Sequence, residues 1–98
     1  MSAFAYVRQY FSPEGLQNFQ QLFKEHRHRA ARYSGFVSLR QLVPLTEAEP
    51  GEIVTLLEFE TPAEMLKWRG SADHEWVRAA YGKWWLRPPE MRLYATED

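Results

Sequence analysis

The chain has no cysteine among its 98 residues. Disulfides, thiolate zinc sites and a cysteine nucleophile are therefore excluded, and a reducing, cytoplasmic location is expected. No apolar run approaches the roughly 20 residues that a membrane-spanning helix needs, so no membrane partner is expected. The opening stretch "MSAFAYVRQYF" has no charged region leading into a long apolar run, so no export signal is expected there. An excess of one charge sign is missing too. Twelve basic and 13 acidic side chains leave a net charge of −1, which argues against nucleic acid, whose general binding rests on phosphate neutralisation. There is no glycine-rich phosphate loop, no nucleophile elbow and no carboxylate cluster, and no metal site is expected.

Aromatic side chains, in contrast, are plentiful: 15% of the residues, including four tryptophans. A single domain spanning residues 1–98 needs only a few large rings to fill its core, so the surplus points to a pocket or an interface.

Hydrophobic periodicity and capping signals predict the elements. Ala3 to Phe11 is aromatic and β-branched and reads as a strand. "SPEG" then opens a helix, with Ser12 as cap and Pro13 at the first position, and helical spacing carries it to about residue 32. Gly35 is placed to leave that helix with positive φ. Strands follow at 36–45 and 52–60, joined by a polar loop. Thr61, Pro62 and Glu64 start a second helix, which breaks at Gly70 and restarts at Ser71, running to about Trp84. "EMRLYA" is a final short strand. The order β-α-β-β-α-β predicts a ferredoxin-like α+β domain, an antiparallel four-stranded sheet with both helices on one face.

Alternation places Phe4, Tyr6 and Tyr10 on one face of the first strand and Ala5, Val7 and Phe11 on the other. In the third strand Ile53, Leu57 and Phe59 oppose Val54 and Leu56. The helices cover one face only, so the second apolar face is expected to be covered by another copy of the chain, in a homodimer.

The stretch "EFETPAEMLKWRGSADH" carries a strand ending in an aromatic, Phe59, then the cap Thr61, a helix with Trp68, and Ser71 three residues on. With the Gly35–Phe36 step of "YSGFVSL", it resembles the antibiotic biosynthesis monooxygenase (ABM) family of dimeric α+β barrels, across essentially the whole chain. The resemblance implies sheet-to-sheet dimers with a pocket between sheet and helices in each subunit. It implies either cofactor-independent oxygenation of polycyclic phenols, in which the substrate phenolate supplies electrons to oxygen, or haem binding and degradation. The phenol oxygenases carry an asparagine and a tryptophan four apart on strand three; those places fall here at Thr55 and Phe59. The haem-degrading set falls at Val7, Trp68 and Arg78, and only Trp68 matches.

The restarted helix stacks His74, Arg78 and Tyr81 on one stripe beside an apolar arc of Trp76, Val77, Ala80, Trp84 and Trp85. The candidate roles are base for His74, phenolate stabiliser for Arg78 and ring positioner for Tyr81. Structural alternatives are a helix-start surface histidine and an exposed arginine. His26 falls inside the apolar face of the first helix, either as a base or ligand or as a core histidine with one hydrogen bond. His28 points away, and the two cannot chelate one metal from a regular helix. Trp68, Phe59 and Phe23 complete the expected contacts to a small aromatic ligand. The basic run "KEHRHRAAR" is expected to be a solvated helix end. The leading expectation is a cofactor-independent monooxygenase of a small aromatic or polyketide-like phenol. The second is a haem enzyme in which another histidine supplies the ligand, and the third a non-catalytic binding module.

Overall fold

The computed structural model describes residues 1–97. Strands β1 (Ala3–Tyr10), β2 (Phe36–Leu42), β3 (Glu52–Phe59) and β4 (Glu90–Ala95) form one antiparallel sheet in the order β2-β3-β1-β4. Helices α1 (Pro13–Ala30), α2 (Pro62–Arg69) and α3 (Ala72–Gly82) complete the chain. This is the expected ferredoxin-like α+β arrangement, with the second helix split in two.

The capping signals act where the sequence puts them. Ser12 Oγ accepts from the Gly15 N–H, Thr61 Oγ1 from Glu64 and Ser71 Oγ from His74, each satisfying a backbone donor that an open helix end would leave free. Gly35 takes φ +86°, and Gly51 takes φ +77° in the β2–β3 loop, where its carbonyl accepts from the Phe11 N–H. α1 ends two residues earlier than expected, in a tighter turn through Arg32 and Tyr33. β2 also stops short, at Leu42, just before Pro44, which has no N–H to give the ladder.

Direct pairing fixes the faces. Ala5 lies opposite Leu57 and Leu93, and Leu39 opposite Leu57, all on the side packed by Phe19, Phe23, Met65, Trp68, Val77 and Tyr81. The opposite face carries Phe4, Tyr6, Leu42, Val54, Leu56 and Tyr94, interleaved with Arg8, Arg40, Glu52, Glu58, Glu90 and Arg92. It is therefore half charged rather than simply apolar, with Arg8 Nε 3.2 Å from Glu52 Oε2.

The basic run is not merely a solvated helix end. Arg27 donates to the Leu39 carbonyl at 3.1 Å, tying α1 to β2. Arg29, Arg32 and Tyr33 converge on the Asp73 carboxylate at 2.7, 3.1 and 2.8 Å, tying the end of α1 to the start of α3. The Tyr33 and arginine hydrogen bonds hold that carboxyl below its ordinary range, against the opposing effect of burial. Trp76 departs from the expected apolar arc: it is exposed, with the Arg29 guanidinium 3.8 Å over its ring.

Candidate active site

Between the helix-covered face of the sheet and α1, α2 and α3 lies a cavity of about 460 Å³. That is within the usual size range for a small-molecule site. Its apolar walls include Ala5, Val7, Leu57, Val77, Trp85 and Met91, and its polar groups are Gln9, His26, Thr55, Trp68, Arg69, His74, Arg78 and Tyr81. A larger groove of about 750 Å³ runs outside α1 and α3 past Trp76 and Trp84. It is open, none of its lining residues is buried, and it holds no converging buried polar groups.

The inner end of the cavity is a chain of stacked rings. His26, from α1, lies nearly parallel to Trp68 at 6.0 Å between centroids, and His74 meets Trp68 edge-on at 5.6 Å. His26 Nδ1 and the Tyr81 hydroxyl share a 3.0 Å hydrogen bond across from α1 to α3. Burial lowers His26 to about 3, with repulsion from His74 and Arg27 adding to it, so the ring is neutral at ordinary pH. Burial likewise pushes the Tyr81 phenol well above its ordinary value, slightly offset by Arg27.

Trp68 is fully buried, yet its indole Nε1–H has no acceptor among the described residues. A buried donor without a partner costs about 1–3 kcal/mol, so this indole lacks an acceptor that folded chains ordinarily supply. The neighbouring groups are already spoken for. Ser71, at the break between α2 and α3, accepts from the His74 N–H and donates to the Trp68 carbonyl at 2.6 Å, so one hydroxyl sets the backbone of both residues. Gln9 Oε1 accepts from Trp85 Nε1 at 2.8 Å, holding the segment after α3 against β1.

The outer end is basic. Arg78 is exposed, while Arg69 and His74 are half-buried. Burial and then the Arg78 charge pull Arg69 below its ordinary value. His74 is lowered by burial, then by Arg69 and Arg78, with a hydrogen bond to the Arg69 backbone acting in the opposite sense.

His74, His26, Arg78, Trp68 and Tyr81 thus share one cavity. Phe59 and Phe23 do not line it. Phe59 is completely buried and edge-on to Phe36, and Phe23 stacks on Phe19, so both serve the core. The α1 periodicity that put Phe23 on the inner face does not distinguish a wall residue from a core residue. Gln9, Thr55 and Arg69 are cavity residues for which sequence reasoning gave no role. Thr55 and Gln9 are polar positions on the otherwise apolar inward faces of β3 and β1, which is the one available signal. Among the described residues no group of three or more histidine, aspartate and glutamate side chains is arranged to hold a metal, and no helix is long and apolar enough to cross a membrane.

Sequence comparison finds no matching family profile and no matching curated protein. Solved structures do match over almost the whole chain. A protein of Nitrosomonas europaea, provisionally named an antibiotic biosynthesis monooxygenase, superposes with a TM-score of 0.81 at 14% identity, covering 97% of this chain and 89% of its own. A variant of SnoaB, a cofactor-independent oxygenase of Streptomyces nogalater, gives 0.81 at 13% identity, covering 99% and 94%. Rv0793 of Mycobacterium tuberculosis gives 0.79 at 19% identity, covering 100% and 97%. At such identities the likeness is one of fold. The chain has the fold of the antibiotic biosynthesis monooxygenases.

Proposed function

We propose that the chain is a cofactor-independent monooxygenase that binds a small fused-ring phenol in the cavity between sheet and helices. The observation that carries this reading is one cavity lined both by Trp68, whose buried Nε1–H has no partner among the described residues, and by His74, whose ring meets the indole edge-on. A phenol oxygen there accepts from Trp68 and gives its proton to His74. The SnoaB-like fold gives the reading a precedent.

Of the two histidines, His74 is the base. An ordinary phenol titrates near 10, so transferring its proton to His26, at about 3, is uphill by about seven units, or on the order of 9 kcal/mol. His26 instead positions Tyr81. His74 is also held low, but Arg69 and Arg78, two of the groups that disfavour its cation, favour a phenolate beside it. The phenolate passes an electron to O2, and the radical pair joins at a ring carbon as a peroxide, which takes the proton back from His74. Loss of the ring hydrogen and cleavage of the O–O bond give a quinone and water. One oxygen atom enters the product, the other leaves as water, and the phenol supplies all four electrons.

Haem is the alternative ligand that the resemblance implies. The residues here do not single out an axial donor for it: His26 is buried with Nδ1 engaged by Tyr81, and His74 is packed edge-on to Trp68. We infer further that the outer sheet face, with Phe4, Tyr6, Leu56 and Tyr94, is covered by a second copy of the chain.

The test is oxygen consumption by the metal-free protein with a dihydroxynaphthalene, with the quinone product followed by absorbance. The expected result is turnover that falls about a hundredfold or more in His74→Ala, the scale of a lost general base. Oxygen uptake no faster than the buffer control, or equal in His74→Ala, overturns the reading. A saturable haem Soret band lost in His74→Ala would instead bring haem chemistry forward.

A further inference from the structure

We propose that the substrate is an aromatic acid, a hydroxylated fused ring whose carboxylate is held at the cavity mouth by the Arg69 and Arg78 guanidinium groups. This rests on the reading of the cavity as a phenol site and specifies its substrate class.

The charges around the cavity are one-sided. Its lining contains two arginines and, among the described residues, no aspartate or glutamate. Neither arginine lies within ion-pair distance of a described carboxylate, whereas Arg8, Arg29, Arg32 and Arg87 each do. This happens in a chain whose net charge is −1, so the imbalance is local. The Asp73 carboxylate, one residue before His74, is turned away from the cavity side and taken up by Arg29, Arg32 and Tyr33.

Holding two like charges close together beside a half-buried histidine costs energy unless an anion joins them. The depressed values of Arg69 and His74, each caused partly by the neighbouring arginines, register that cost. A neutral phenol leaves both guanidinium charges uncompensated in the bound state. A carboxylate compensates one on binding, whereas the later transfer of the phenol proton to His74 only moves charge within the site and leaves its total unchanged. The planar guanidinium suits a carboxylate, which it can grip through two parallel hydrogen bonds.

The position of the charges also orients the ring. Arg78 is the most exposed of the polar lining groups, and Trp68, Thr55, Gln9, His26 and Tyr81 are buried. With its carboxylate at the basic outer end, a flat ring lies along Val77 and Leu57 and carries its hydroxyl inward to Trp68 Nε1. A ring without the carboxylate has nothing to prevent it from entering the other way round.

The experiment is a binding comparison by calorimetry at about pH 7.5, between naphthol and the corresponding hydroxynaphthoate. The acid is expected to bind about ten- to a hundredfold more tightly, the factor of a charge-assisted hydrogen bond. Its advantage should shrink as salt rises from about 20 mM to about 500 mM, as the Debye length contracts. Arg78→Gln should remove most of the preference and Arg78→Glu should reverse it, in favour of an aminomethyl-naphthalene cation. Because Arg78 is exposed, both variants are expected to fold, which a thermal melt checks. Equal affinity for the two compounds, no binding of either, or a preference that survives in both Arg78 variants overturns the proposal. Binding is read without turnover, so a protein that prefers the acid but consumes no oxygen upholds this inference and rejects the oxygenase. One that oxidises both compounds with equal affinity does the reverse.

Discussion

The Tyr81 hydroxyl lies 3.0 Å from His26 Nδ1, and the pair joins α1 to α3 at the floor of the cavity as two neutral groups. Neither is a proton carrier at ordinary pH. Their contribution is to fix the two helices that carry Trp68's neighbours and to keep a buried imidazole satisfied.

That arrangement has a defined pH signature. His26 sits at about 3 in the folded chain against an ordinary 6.5, because burial, His74 and Arg27 disfavour its cation. Above pH 6.5 neither the folded nor the unfolded chain protonates it, so it adds no slope. Below 6.5 the unfolded chain takes up a proton that the folded one refuses, and stability falls with falling pH down to the folded value. Between about pH 7 and about pH 5 this amounts to about 2 kcal/mol. Urea unfolding of His26→Gln at those two pH values should show a smaller loss than the parent by about that amount. An unchanged loss would mean that His26 is not the group responsible.

Trp68 and Phe59 are both fully buried aromatics, but only Trp68 lines the cavity. Trp68→Phe removes an N–H with no partner to lose, so its stability cost is limited to unfilled volume, on the order of 1–2 kcal/mol. Ligand binding should suffer more, with kcat/KM for the phenol falling about tenfold or more as a charge-assisted bond to the phenolate disappears. Phe59→Leu should show the opposite pattern, a comparable stability loss with kcat/KM nearly unchanged. Steady-state kinetics beside thermal melts separate the two. Equal kinetic effects would remove Trp68 from the site.

Much of this architecture can be read from short-range signals. Ser12, Thr61 and Ser71 each stand immediately before a helical pattern, and a cap acts on backbone only two or three residues away, so all three could be placed from spacing alone. The same holds for the inward position of His26 and for the shared stripe of His74, Arg78 and Tyr81. What could not be read depends on partners far apart in sequence. Gln9 faces inward by alternation with Ala5 and Val7, but the partner that satisfies it there is Trp85, 76 residues later. Thr55 shares the face of Ile53, Leu57 and Phe59 by alternation and lies opposite Val7, but nothing local shows that a cavity rather than another side chain packs against it. Trp76 shares the periodicity of buried neighbours but is exposed, with the Arg29 guanidinium over its ring. Phe23 and Phe59 lie on inward faces, and nothing local tells whether a cavity or another side chain lies opposite.

Ser71 links the two halves of the site through its hydroxyl, which accepts from the His74 N–H and donates to the Trp68 carbonyl. Ser71→Ala removes both bonds and should cost about 0.5–2 kcal/mol, the usual loss of a helix cap. Ser71→Thr keeps both and should restore stability. Ser71→Asp keeps the cap but has no hydroxyl to donate to Trp68, so it should recover stability without recovering full turnover. Melting curves and turnover of the three variants test this. Full activity in Ser71→Asp would show that the cap alone matters.

The outer sheet face makes the final prediction. Tyr6 lies opposite Leu56 and Arg92, and Phe4 opposite Glu58 and Tyr94, so apolar and charged groups alternate across it. An isolated chain would leave several aromatic rings against water, while two copies related by a two-fold axis can set arginines against glutamates and rings against rings. Sedimentation should therefore give twice the 11.6 kDa mass of the chain. Leu56→Asp places an uncompensated carboxylate in the middle of that contact and should yield monomers, without touching the cavity on the opposite face. Because Leu56 is only partly buried in the single chain, the monomer is expected to remain folded. A parent chain that sediments as a monomer would reject the interface, and a dimer unaffected by Leu56→Asp would place it elsewhere.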